Sequence, residues 1–464
     1  MKVPRKLLPS KILRYVCAGA LFAAFSAALL QSPLDKAVAS PTAGNVAPKY
    51  KVDTTWPKRL PNNWLIGQVA GIAVDRDDNI WIVQRPRSLT SDEAGATGAL
   101  PGTDTDAFGN PRPAGPLADC CYPAPSILKF DKKGNLLQAW GGPAAGFQDP
   151  AWQWPENNCI APACEWPVNE HGIYVDHNDF VYMAGNNGGA TDFDAQVLKF
   201  SADGTFLLQI GDHAVNTNGS NDTNSCQGGT TPCLGRPADM EVDPETNELY
   251  IADGYLNHRI VVVDADTGAY KRHWGAYGQN PVDDAAANAM GPNNNPAPGT
   301  DPELFAPPHY RTPVHAVRIT NDGLVYVADR VNNRVQVFDK NAVGVPCTPT
   351  GPGTCGFVAE KFVERDTLGP GSVWDLDTSP DKRQSLLFIP DGTNQYIWTL
   401  LRPSLHILGR FGGNGRNAGQ FHWVHNLALD SYGTIYTAEV DTGKRAQKFK
   451  PVGMRSDDGD DDDN

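Results

Sequence analysis

The chain has 464 residues, 40% hydrophobic and 20% charged, with 46 Gly, 38 Pro and a formal net charge of −14. That length is ample for a large buried core, and Gly and Pro at this level without a strict period exclude a collagen-like or wholly disordered chain. The negative charge argues against a nucleic-acid or anionic-membrane partner, and no run of 18 or more apolar residues follows the first forty positions.

Residues 1–39 read as an export signal. Lys2, Arg5, Lys6, Lys11 and Arg14 precede an apolar run from Tyr15 to Leu30, and Ala37-Val38-Ala39 offers the small residues a signal peptidase needs, so cleavage is expected after Ala39. These residues carry six basic side chains and one acidic one, so their removal takes the charge from −14 to −19. Residues 40–450 are expected to form one domain, periplasmic or extracellular, without a membrane span. The Asp-rich end, 451–464, is expected to be a solvated tail. Export makes the cysteines readable as loop-stapling disulfides. The expected pairs are Cys159–Cys164, Cys226–Cys233 and Cys347–Cys355, with Cys120 and Cys121 bonded to each other or bridged elsewhere.

A motif then recurs along the chain: a short apolar strand ending near Asp, a polar turn, and a second strand ending in a small residue. It occupies residues 71–85, 171–185, 239–255, 315–330, 374–392 and 425–440. Third strands follow, as ILKF (127–130), QVLKF (196–200), RIVVV (259–263), RVQVF (334–338), YIWTL (396–400) and RAQKF (445–449). Strands separated by DN, DG or NG turns argue antiparallel sheet, and tandem four-stranded units argue a β-propeller. The expected fold is therefore all-β, a six-bladed propeller. The last unit lacks an outer strand after Phe449, and Tyr50–Trp56 could supply it and close the ring. Long loops intervene near 86–124, 143–168, 212–236 and 276–311, and Trp152, Trp154 and Trp166 could form an aromatic lid or pack beneath their loop.

The blades can be indexed by the residue that ends each first strand: Asp75, Asp176, Asp243, Thr320, Asp377 and Asp430. Five positions earlier stand Ala70, His171, Ala238, His315, Ser372 and His425. In a propeller the first strand of each blade lines the central channel, so His171, His315 and His425 are alternate members of a six-member ring. Three imidazoles around one axis with an open face suit a catalytic zinc, although Cu, Fe and Ni also accept imidazole. Arg85 ends the second strand of the first blade and Tyr255 follows that of the third, both on the histidine rim. A phenol beside cations is a candidate general base. His309 and His422 also fall near this rim, as candidate substrate contacts.

These segments resemble NHL-repeat propellers, and within them the lyase half of peptide-amidating enzymes, peptidyl-α-hydroxyglycine α-amidating lyase. The resemblance covers roughly residues 64–450. It is carried by GQVAGIAVD (67–75), RPADMEVDPETNELYIADGYLNHRIV (236–261), VYVADRVNNRVQVF (325–338) and FHWVHNLALDSYGTIY (421–436). It implies zinc on His171, His315 and His425, Tyr255 as the catalytic tyrosine and Arg85 as the active-site arginine. It also implies a channel calcium held by backbone carbonyls at Ile72 and Ile173 plus an acidic residue, where this chain has Asn426. The implied reaction cleaves the C–N bond of an α-hydroxyglycine carbinolamide, on a peptide or small molecule, to an amide and glyoxylate. The family's Pro before each zinc histidine is here Glu170, Val314 and Val424, and its substrate-side Met is Trp423. Two other readings of the residues stand beside this one: a different metal-dependent hydrolase or lyase at the same histidines, and a non-catalytic binding scaffold.

Overall fold

The computed structural model describes residues 47–97, 116–142, 159, 163–189, 193–214, 218–224, 226, 231–283, 307–344, 355–363, 367, 369–402 and 404–452. Six four-stranded antiparallel sheets follow one another around an axis as the blades of a propeller. The inner strands are Gln68–Val74, Glu170–Val175, Asp239–Asp243, Val314–Ile319, Asp377–Thr378 and Val424–Leu429. Helical structure among the described residues is confined to short 3₁₀ turns, and no helix there is long and apolar enough to cross a membrane.

The turn chemistry explains why most inner strands end at Asp. The Asp75 carboxylate accepts backbone N–H groups from Asp77 and Asn79, Asp176 from Asn178 and Phe180, and Asp430 from Tyr432 and Thr434. Each carboxylate thus satisfies donors that the tight turn would otherwise leave unpaired. Between consecutive blades lies one apolar cluster. The first blade's Trp81 and Val83 meet the second blade's Val181 and Leu198, and the third blade's Tyr250 and Val262 meet the fourth blade's Val317 and Val327. Six such clusters seal six interfaces. A blade is therefore covered on both faces, which is why Arg259–Asp264 (RIVVVD) is apolar through its middle.

Ring closure occurs as expected. Tyr50–Asp53 pairs antiparallel with Arg445–Pro451, from Tyr50 opposite Pro451 to Asp53 opposite Lys448, and completes the sixth blade. The fifth blade departs from expectation: the repeat predicts an inner strand over residues 374–378, but only Asp377–Thr378 is paired as one. Pro390 in the neighbouring strand explains this. Its carbonyl accepts the Trp374 N–H at 3.1 Å, but it has no N–H to return on that side. Disulfides join Cys120 to Cys121, Cys159 to Cys164 and Cys226 to Cys233. Cys347, the expected partner of Cys355, lies outside the described residues, as do Trp152 and Trp154.

Candidate metal centre

The three histidines converge on the channel axis. Each is at most 3% exposed, and each brings one ring nitrogen within 4.8 Å of the others. Their ring centroids are 5.1, 4.7 and 4.8 Å apart, a nearly equilateral set. Ala70, Ala238 and Ser372, at the intervening ring positions, are buried and small, which leaves the space the imidazoles fill.

Each ring is fixed from behind. Nδ1 of His171 donates to the Ala238 carbonyl at 2.7 Å, that of His315 to the Trp374 carbonyl, and that of His425 to Oδ1 of Asn426. Carbonyl oxygens only accept, so these contacts place the proton on Nδ1 and leave the Nε2 lone pairs for a shared ligand. Gly172 lets the third blade come this close: a Cβ there would lie 2.4 Å from the Ala238 oxygen. Burial is the first cause that pushes all three rings well below the usual imidazole range, His425 to about 3. The His425 ring, Arg85 and Arg330 add to it at His171, Arg330 and the other two imidazoles at His315, and Arg85 and Arg330 at His425. The three are therefore neutral at neutral pH, the form that ligates metals.

Tyr255 completes the cluster. Its oxygen lies 3.0 Å from Nε2 of both His171 and His315, and it accepts from Nη1 of Arg330 at 3.2 Å. Gly254 makes this reach possible, because a Cβ there would stand 2.0 Å from the Val314 oxygen. Arg85 reaches the same rim. Its Nε donates to the Glu170 carbonyl at 2.7 Å and its Nη1 to Gln68 at 2.8 Å, next to the strand that carries His171. Burial lowers the Arg85 guanidinium, and the facing Tyr255 and Glu170 offset part of this.

The sequence reading did not single out three residues of the wall. Arg330 lies 4.1 Å over the Trp374 ring, and Arg236 lies 5.4 Å from the Tyr255 ring centroid. Trp374 itself packs between His315, His425 and Trp423, at 5.9, 5.6 and 5.7 Å. Arg330 had a visible signal, since it stands ten residues after Thr320 as Arg85 stands ten after Asp75. Of the other expected contacts, Trp423 reaches the centre through Trp374. His422 packs edge-on to Trp423 at 6.4 Å and bonds Thr442. The backbone carbonyl of His309 accepts from Asn332 and Arg334. Trp166 packs on Phe200 and donates to Glu170, so it belongs to the core rather than to a lid. Ile72 and Ile173 are buried on the inner strands of the first two blades, and Asn426 follows His425 in the sixth.

Fold and site together define a six-bladed propeller with a buried three-histidine cluster able to hold a metal ion. The NHL repeat family matches residues 314–338, across the first three strands of the fourth blade. The chain is an NHL-repeat propeller that resembles peptide-amidating enzymes. It is 25% identical over 404 residues to peptidyl-glycine alpha-amidating monooxygenase B of Xenopus laevis, a match covering 86% of this chain and 35% of that protein. The chain thus spans only about a third of that relative's length. It is also 26% identical over 346 residues to NHL repeat-containing protein 3 of Mus musculus, covering 72% of this chain and 74% of that one. Among solved structures, virginiamycin B lyase from Staphylococcus aureus overlaps 87% of this chain and 100% of that one, with a TM-score of 0.43 and 10% identity.

Proposed function

We propose that the chain is an exported zinc-dependent carbon–nitrogen lyase that cleaves an α-hydroxyglycine-type carbinolamide. One observation carries this reading: three neutral imidazoles share a centre with the oxygen of Tyr255. A phenol has one proton, yet this oxygen faces two Nε2 lone pairs, so one contact has no proton to fill it. A cation at the centre would relieve that mismatch, which is why His171, His315 and His425 fit a zinc ion. Zinc there would supply a Lewis acid for the substrate hydroxyl. The resemblance to the Xenopus enzyme supports the same chemistry.

Once its own proton has left to solvent, Tyr255 as phenolate takes the proton of the carbinolamide hydroxyl. The carbon–oxygen double bond forms as the C–N bond breaks, and the bonding pair stays on the amide nitrogen. That nitrogen then receives a proton from Tyr255, leaving a primary amide and glyoxylate. Arg330 and Arg236, stationed at the phenol, and Arg85, on the same rim, place positive potential where negative charge develops. Residues 1–39 act as the export signal, and the disulfides among the described residues suit the oxidising compartment beyond it.

Glyoxylate release from α-hydroxyhippurate tests the reading. A positioned general base contributes about 10²–10⁴-fold, so Tyr255→Phe should lose about that much activity while retaining its zinc. A wild-type chain that binds zinc but releases no glyoxylate would refute the lyase assignment.

A further inference from the structure

Beneath the three imidazoles the channel holds a guanidinium whose side chain is 13% exposed. Arg318 lies on the inner strand of the fourth blade, three residues after His315. It donates through Nη1 to Asp239 at 2.5 Å and through Nη2 to Asp375 at 3.2 Å, and both carboxylates are at most 2% exposed. These partners lead directly to the metal centre. Asp239 follows Ala238, whose carbonyl holds His171, and Asp375 follows Trp374, whose carbonyl holds His315. Asp375 also accepts from Nδ2 of Asn426 at 3.1 Å, and Asn426 holds His425. Every group that fixes an Nδ1 is therefore one peptide link or one hydrogen bond from a carboxylate that Arg318 grips.

The same contacts leave Asn426 no part in the calcium site that the family resemblance implied. Asn426 brings no charge, its Oδ1 is committed to His425, and its Nδ2 points a donor at Asp375. Both oxygens of Asp375 already accept N–H groups, Oδ1 from Arg318 and Leu376 and Oδ2 from Asn426 and Leu427. A divalent ion bound by these groups would also face a guanidinium of like charge. A planar, permanently charged fork is better suited than a point charge to bridging two buried carboxylates.

We propose that Arg318 is the resident cation of this channel, and that it positions the three-histidine site by holding Ala238, Trp374 and Asn426 in register. It touches neither the imidazoles nor the substrate, so it is a positioning residue. The second half of the proposal rests on the reading of the histidines as a metal site, and the first half does not.

Two measurements on the mature chain separate these halves. The thermal midpoint of the wild type is compared in EGTA and in millimolar calcium. The expected result is no difference. A calcium-dependent rise accompanied by one tightly held calcium would overturn the proposal. Cobalt(II) is then titrated into metal-free wild type, Arg318→Met and Arg318→Lys, with visible absorption reporting coordination. Loss of such an outer partner weakens metal affinity by about 10–100-fold, and that loss is expected in Arg318→Met together with an altered spectrum. Arg318→Lys keeps the charge but cannot bridge both carboxylates. It should also bind more weakly, and it serves where the Met variant does not fold. Cobalt affinity and spectrum unchanged in either folded variant would reduce Arg318 to a stabilising residue. A wild type that binds no cobalt would refute the metal-site reading itself, leaving the calcium comparison to judge Arg318 as the channel cation.

Discussion

Gly172→Ala should couple a packing fault to the metal centre. The added Cβ would stand 2.4 Å from the Ala238 oxygen and 3.0 Å from the Asp239 Cα. The first distance is roughly 1 Å short of an ordinary carbon–oxygen approach. Both obstructing atoms are backbone, so neither can swing aside, and the inner strands of the second and third blades must separate. Overpacking of this kind costs about 1–3 kcal/mol. The displaced oxygen is also the acceptor that holds Nδ1 of His171 at 2.7 Å. Losing that partner should weaken zinc binding about 10–100-fold, or about 1.4–2.7 kcal/mol. Urea unfolding of the metal-free chain measures the first effect, and zinc competition against a chelator measures the second. A variant that loses stability but binds zinc within about twofold of wild type would refute the claim that the Ala238 carbonyl sets the site.

Arg334 and Asp329 are both fully buried and paired at 2.6 Å. Arg334→Met strands the carboxylate and should cost about 3–5 kcal/mol in urea unfolding; a loss under about 1 kcal/mol would show the pair to be dispensable. Glu241 accepts from the Ile319 N–H, and burial raises its carboxyl to about 8 from an ordinary 4.5. A raised acid stabilises the fold below its unfolded value and loses that contribution as pH rises through the folded one. The stability of the wild type relative to Glu241→Gln should therefore fall between pH 4.5 and about 8, and a difference flat across that range would contradict the shift.

Much of this architecture could be read from the residues because local and global signals agree. In the first, second, third and sixth blades the Asp that ends the inner strand also caps its own turn, so the repeat that marks the blades fixes their register as well, and register placed the histidines on one ring. Tyr255 and Arg85 followed from the return of the second strand to that rim. What the sequence concealed depends on contacts between distant segments. The acceptors for His171 and His315 are backbone carbonyls of Ala238 and Trp374, which no side-chain pattern marks. Arg318 looked like an ordinary polar residue on a strand, since its two carboxylates come from the third and fifth blades. The fifth blade misled because Pro390, in the strand beside it, withholds a donor from residues sixteen positions earlier.

The central claim is that His171, His315 and His425 together hold one catalytic metal. Elemental analysis of the purified mature chain, never exposed to chelator, against a variant with all three changed to Ala tests it most directly. The account predicts one equivalent of zinc in the wild type and none in the variant. A wild type without stoichiometric transition metal, or a variant that retains it, would contradict the claim.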